Sequence, residues 1–191
     1  SLKYLVLGGT ATATFLMGTS LLYGSTGSLG LDAFARALAA GDGLSRAAVV
    51  LVVLAFFLKG AIVPFHAWAP DAYEGASVPV TAYMATIVKA GVLLAVVRVF
   101  GRTTLASPML EIFAALPLLS IVWGNLAAMR QPSLRRMIAY SSIAHAGYLF
   151  YALLGDPAGR LQSVAFYLLA YGLMNLLAFA ALPAAADDVA R

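Results

Sequence analysis

The chain has 191 residues, of which 62% are hydrophobic and only 10% charged, and its formal net charge is +4. A soluble domain carries about 25% charged residues. That shortfall, with a mean hydropathy of +0.91, excludes a soluble globular domain and indicates an integral membrane protein. The absence of cysteine removes disulfide and thiolate chemistry. The arginines lie in short loops, where cations at membrane edges are normal, so the basic balance does not point to nucleic acid.

A spanning helix needs about 20 mostly apolar residues, and six windows of the chain qualify. The first runs from Leu2 to Tyr23, with Thr10, Thr12 and Thr14 near its middle. A glycine- and serine-rich turn, 24–30, follows it. Leu31 to Ala40 then reads as a short interfacial helix, because Phe34 and Leu38 are four apart. The second window runs from Ala47 through Lys59 to about Ala69 and contains Pro64; the third, Val78 to Val99, holds Lys89 near its centre. The fourth is Met109 to Met129. Ser107 and Pro108 before it suit an N-cap and a first-turn proline, with Glu111 in the first turn. The fifth is Met137 to Leu154, with Ser133 as its expected N-cap, and the sixth is Leu161 to Ala185.

These windows predict an all-α, polytopic membrane bundle, a single unit over 1–191 with one discontinuous helix. No strand pattern and no internal repeat is visible. The start, Ser1-Leu2-Lys3, lacks a methionine, a basic segment and a cleavage site, so the chain is expected to be an internal piece of a longer one. Alternating the windows across a membrane puts equal numbers of cations on the two sides, so the positive-inside rule gives no orientation. Gly8-Gly9 and the many alanines read as close helix packing.

Two lysines, Lys59 and Lys89, are the cations that fall inside apolar windows; every Asp and Glu lies at an end or in a loop. A lysine at the centre of a bilayer costs roughly 2.5–3.5 kcal/mol on insertion scales, so it commonly marks an ion or proton path. The competing explanation is snorkelling, in which the stem lies in lipid and the head reaches an interface. Lys59, nearer a helix end, suits that explanation better than Lys89. Pro64 removes a backbone donor and breaks or kinks its helix. Breaks inside a membrane are tolerated only where protein or a wet cavity satisfies the freed groups, and discontinuous helices mark ion sites in transporters; a plain packing kink is the alternative.

His66 follows the break. His145 shares a face with Ser141 and Tyr148 at i, i+4, i+7 spacing, and Tyr167, Tyr171 and Asn175 form a second polar stripe in the last window. Polar faces in apolar helices must point into protein or water. Each histidine reads about equally as a proton relay or as a hydrogen-bonded core residue. Asn125 reads as helix–helix glue. The histidines lack a companion cluster of carboxylates, so no metal site is expected. No nucleotide-binding glycine pattern and no nucleophile elbow is present.

Read in order, the stretch from Lys59 to Val80, Lys-Gly-Ala-Ile-Val-Pro-Phe-His-Ala-Trp-Ala-Pro-Asp-Ala-Tyr-Glu-Gly-Ala-Ser-Val-Pro-Val, resembles the broken-helix signature of the antiporter-like subunits of respiratory complex I. Tyr73-Glu74-Gly75, Gly124 to Ala128, Arg136 to Tyr148, Leu2-Lys3-Tyr4, Leu22-Tyr23-Gly24 and Thr26-Gly27 are similar to the subunit N family of NADH–quinone oxidoreductase in particular. The resemblance covers nearly the whole chain. It implies that these six helices correspond to helices 6 to 11 of a fourteen-helix subunit in a bacterial inner (plasma) membrane. It further implies that Lys59 on the broken helix and Lys89 on the next carry protons towards His145, with Pro64 at the break and His66, Ser141, Tyr148, Tyr171 and Asn175 in support. The family's lysine on the broken helix is paired with a glutamate expected upstream of Ser1, and a second broken helix is expected after Arg191.

The implied function is proton translocation through a hydrated lysine relay, coupled to quinone reduction. No redox chemistry and no cofactor is expected in this chain; NADH and quinone would be used elsewhere in the complex. The implied partners are other membrane subunits of complex I, lipid, protons and water, and no nucleic acid. Two other functions fit the residues: a subunit of a related multisubunit cation/proton antiporter, and a structural membrane subunit whose lysines are buried glue.

Overall fold

A computed structural model describes residues 2–100, 107–155 and 158–189. Every regular element among them is helical. Helix α1 spans Leu2–Thr26, α2 spans Leu31–Ala40, and α3 spans Gly43–Gly60. The break follows, and α4 (Trp68–Gly75) continues beyond it. Helix α5 (Val78–Tyr83) runs through a single π-turn, Met84–Val88, into α6 (Lys89–Phe100). Helix α7 covers Ser107–Ala128. Helix α8 (Leu134–Tyr151) ends in a 3₁₀ turn at Ala152–Leu154, and α9 covers Arg160–Val189. Five stretches among the described residues are long and apolar enough to cross a membrane: Leu2–Thr26, Gly43–Gly60, Val78–Phe100, Leu134–Leu154 and Arg160–Leu182. The described apolar part of α7 is Ala114–Ala128.

Several local expectations need correction. The second apolar window is discontinuous as expected, but the chain leaves α3 after Gly60, four residues before Pro64. Helix α7 is described from Ser107, whose expected capping role rests on neighbours outside the described residues. Ser133 does sit at the N-cap of α8 with extended backbone, but its side chain makes no capping bond; the cap that works is Asp42, which accepts from the amides of Leu44 and Ser45 at the start of α3. The short helix α2 forms where expected and buries Ala33, Phe34 and Ala37. Arg191 and Asp156 lie outside the described residues, as does Arg102.

Two apolar clusters hold the bundle together. One joins α1, α2, α3, α6, α8 and α9 through Leu22, Phe34, Val52, Phe57, Phe100 and Phe150. The Phe34 and Phe100 rings meet edge-on at 4.8 Å, and Phe57 meets Phe150 at 5.3 Å. The other, around Trp68, Tyr73, Met84, Ile143 and Phe179, packs α4 against α8, α9 and the π-turn. The outward faces of α1, α7 and α9 are apolar, with Leu5, Leu16, Leu126, Phe166 and Leu177 exposed, as a lipid- or subunit-facing surface requires.

Close backbone approach comes from glycines other than Gly8-Gly9. A Cβ on Gly9 would meet nothing within 4 Å, and one on Gly8 would meet only the Lys59 amine. On Gly18 it would lie 2.9 Å from Val52, on Gly124 2.8 Å from the Ala144 nitrogen, and on Gly147 2.6 Å from the Pro117 carbonyl. The α7–α8 seam is therefore set by small residues on both helices. Asn125, in contrast, is exposed and bonds back to the Ile121 carbonyl of its own helix, so it joins no two helices among the described residues.

The break is a satisfied structure. Gly60 brings α3 against Phe150, whose ring a Cβ would meet at 2.8 Å, so the left-handed position falls on Ala61 (φ 59°). The freed carbonyls of α3 are taken up locally: Ala61 N and Trp68 Nε1 donate to Leu58 O, and Ile62 N donates to Phe57 O. The Val63 amide donates to Ser120 Oγ of α7 at 2.8 Å. Pro64, joined to Val63 by a cis bond, supplies no donor of its own.

Two substitutions test this packing. Gly124→Leu is expected to destabilise the protein by about 1–3 kcal/mol, because its Cβ meets backbone on α8. Ser120→Ala is expected to cost about 1–3 kcal/mol by leaving the buried Val63 amide unpaired. Thermal unfolding in detergent, with Ser120→Thr as the control that keeps the hydroxyl, measures both.

Candidate functional site

Lys89 opens α6 directly after the π-turn and is only 3% exposed. An ammonium at such a depth needs acceptors, and α8 supplies them. Lys89 Nζ donates to both the carbonyl oxygen and Oγ of Ser142. Two phenols meet at the same hydroxyl. Tyr171 of α9 donates to Ser142 Oγ at 2.7 Å, and Tyr73 of α4, fully buried, lies at 3.5 Å from it. One serine thus ties together side chains from four separate helical segments.

The cluster continues along α8 to His145. Its ring centre is 5.0 Å from that of Tyr171 and 6.0 Å from that of Tyr148, and its Nδ1 is 2.8 Å from the Tyr167 hydroxyl. Asn175, buried, donates to the Tyr171 carbonyl one turn away and stiffens that part of α9. Tyr148, expected on the same face as His145, and Tyr171, from the separate polar stripe of the last window, both lie beside its ring. Ser141 is half-buried and makes no hydrogen bond among the described residues; its neighbour Ser142 takes the central place.

Lys59 stands apart from this cluster. It is partly exposed and has no ion-pair or hydrogen-bond partner among the described residues. Its side chain lines a cleft of about 300 Å³ with Ala11, Thr12, Phe15, Gly91 and Ala95, between α1, α3 and α6. Gly8 and Trp68 lie on its other side. His66, in the break, accepts from Trp123 Nε1 of α7 at 3.2 Å through Nε2. It does not contact the Lys89 cluster.

Sequence reasoning missed Ser142, Tyr73, Ser120 and Trp123. Ser142 had a usable signal, since it lies three residues before His145 and i, i+3 positions share a helix face. Tyr73 lay in a quoted motif with no chemistry attached. Ser120 and Trp123 meet their partners only through the α7–break packing, which no local pattern reports.

A charged cluster closes one end of the bundle. Asp71 of α4 pairs with Lys3 of α1, and with Arg136 of α8 at 3.0 Å; Arg136 also reaches Glu74 at 2.9 Å. The Lys3 hydrogen bond, and then Arg136, hold the Asp71 carboxyl below its ordinary value against the opposing effect of burial. Among the described residues no group of three or more His, Cys, Asp or Glu could hold a metal ion.

This architecture matches known proteins along nearly its whole length. The family model described as NADH:quinone oxidoreductase/Mrp antiporter, TM, matches residues 1–189. The chain belongs to this family. It is 44% identical over 180 residues to an NADH-quinone oxidoreductase subunit N from Pelobacter propionicus, covering 94% of this chain and 39% of that protein. Among solved structures, it is 47% identical to a chain of respiratory complex I from Thermus thermophilus with bound aureothin, with a TM-score of 0.80, covering 95% of this chain and 39% of the other. A chain of the membrane-bound sulfane sulfur reductase, an archaeal respiratory membrane complex, aligns with a TM-score of 0.84 at 30% identity over 94% of this chain and 38% of that one. The chain thus spans about two fifths of the length of these family members. Both structural neighbours sit within multisubunit membrane complexes.

The charged cluster carries a pH prediction. A carboxyl whose folded pKa is depressed adds stability above its unfolded value, about 3.9, and loses it as pH falls towards the lower folded value. Below about pH 4, amide exchange in α4 is expected to quicken relative to the bundle core, and Asp71→Asn is expected to flatten that dependence. Hydrogen–deuterium exchange against pH checks it.

Proposed function

We propose that this chain is the middle section of a proton-translocating subunit in the membrane arm of an NADH–quinone oxidoreductase. The observation that carries this reading is the Lys89 amine. It is buried, hydrogen-bonded to Ser142, and followed along α8 and α9 by Tyr171, His145 and Tyr167. A buried amine beside hydroxyl and imidazole groups can take up and release a proton with little rearrangement. The subunit N relatives and the fold support the complex to which it is assigned.

In this reading Lys59 is the entry-side carrier. Its lack of a partner among the described residues fits a lysine whose counter-charge, a glutamate by resemblance, comes from another segment. Protons pass by water through the cleft that runs from Lys59 to Gly91 and Ala95 of α6, the helix that Lys89 opens. They continue through Lys89 towards His145. NADH and quinone react elsewhere in the complex, and this chain binds neither. The partners are the other membrane subunits, whose contacts would cover the apolar faces of α1, α7 and α9.

The family model joins oxidoreductase and antiporter subunits, so a cation/proton antiporter is the second reading; sodium-dependent turnover would favour it. Lys89→Ala in the full-length subunit of the assembled complex is expected to lower quinone-coupled proton pumping by about a hundredfold, the lower end of an acid–base contribution, with assembly intact. Pumping in sealed vesicles measures this. Unchanged pumping would reduce Lys89 to structural glue.

A further inference from the structure

Ser142 is the meeting point of the buried cluster, and the direction of its hydrogen bonds depends on the charge of Lys89. A serine hydroxyl has one proton to give and two lone pairs to receive. Tyr171 donates to Ser142 Oγ at 2.7 Å. With Lys89 charged, the ammonium also donates to it, since an ammonium has no lone pair. Both acceptor positions are then filled, and the serine proton must point elsewhere. The remaining neighbour is Tyr73 Oη at 3.5 Å. When Lys89 is neutral, the amine offers a lone pair. The serine proton can then turn to it, which opens an acceptor position to the Tyr73 hydroxyl. Only O–H groups rotate in this exchange; no proton crosses Ser142 and no covalent bond breaks.

Tyr73 is placed to pass such a change on. It is fully buried on α4, and its carbonyl accepts from Thr81 Oγ1 of α5 at 3.2 Å. Helix α4 also carries Asp71 and Glu74, which grip α1 and α8. At its start, Trp68 donates to Leu58 O beside Lys59. A contact of 3.5 Å is slack for two hydroxyls, whose usual separation is about 2.7–2.8 Å, so this is the link in the cluster with room to tighten or part.

We propose that Ser142 is a positioning residue whose hydroxyl reports the charge of Lys89 to Tyr73 by reversing which of the two hydroxyls donates, so that the hold on the second half of the broken helix changes with that charge. Lys59 at the end of α3 and Lys89 at the start of α6 are thereby coupled through protein hydrogen bonds, alongside any water between them. The inference rests on the proton-transfer reading of Lys89 and adds a second, non-aqueous route by which one lysine senses the other.

The test is a double-mutant cycle in the full-length subunit within the assembled complex, read as protons pumped per quinone reduced in sealed vesicles. Tyr73→Phe and Ser142→Ala each remove one hydroxyl without adding bulk. Each is expected to lower the pumping ratio roughly three- to tenfold, the effect of losing one buried hydrogen bond. The double variant is expected to be no worse than the poorer single one, and Ser142→Thr is expected to restore most of the ratio. Losses that multiply in the double variant, or a silent Tyr73→Phe, overturn the proposal. Lys89→Ala in the same vesicles separates the two ideas. If it stops pumping while Tyr73→Phe is silent, the reading of Lys89 stands and the coupling falls; if it too is silent, the reading itself falls.

Discussion

The structure depends on how a lysine amine is kept inside an apolar bundle. Burying a charge without partners costs more than the packing of a helix returns. Lys89 meets that cost with the carbonyl and hydroxyl of a single residue, Ser142, on a different helix. This fixes which face of α6 looks at α8. It also gives the two tyrosines different parts: Tyr171 of α9 donates to the serine oxygen, while Tyr73 of α4 is the neighbour to which the serine's own proton can turn. The apolar residues around the cluster, Ile143, Met84 and Phe179, exclude lipid from it and leave the polar atoms to satisfy one another.

The broken helix obeys the same constraint in backbone form. Ending α3 in mid-bundle frees carbonyls and amides that lipid cannot satisfy. Trp68 and Ser120 satisfy them from opposite sides, one from beyond the break and the other from α7. The consequence is mechanical. Helix α4 is not a loose continuation of α3 but a separate piece held at its start by an indole, along its face by Tyr73, and at its exposed end by Arg136 and Lys3.

Much of this was legible because membrane sequences are strongly constrained. Apolar length located the spanning segments, and a lysine or proline inside one stands out against so little charge. The broken helix, the lysine inside an apolar helix, and the two inward polar stripes, one with His145 and Tyr148 and one with Tyr167 and Tyr171, follow from period and polarity; that the stripes meet at His145 does not. The rest depends on tertiary phase. Ser141 and Ser142 differ by one position, about 100° around the helix, and only the packing of α7 against α8 decides which of them faces Lys89. The π-turn at Met84–Val88 adds a residue to the turn before Lys89 and so rotates it; such bulges gather at functional sites, but nothing in Met-Ala-Thr-Ile-Val announces one. Gly8-Gly9 looked like a packing motif and is not, because close approach depends on which glycine the crossing point reaches, and here that is Gly18.

The contrast between the two lysines is the last consequence of the geometry. Lys89 is held by groups within the described bundle, whereas Lys59 faces a cleft whose lining is apolar apart from Thr12 and itself. A charge so placed is governed by whatever approaches from outside, while a charge like that of Lys89 is governed by the hydroxyls already around it. Two lysines with the same side chain therefore differ in control. One responds to an approaching counter-charge and the other to a hydrogen-bond network that has a limited number of protons to distribute. The relay proposed for these two lysines therefore has two unlike stations, one set by an outside charge and one by its own hydroxyls.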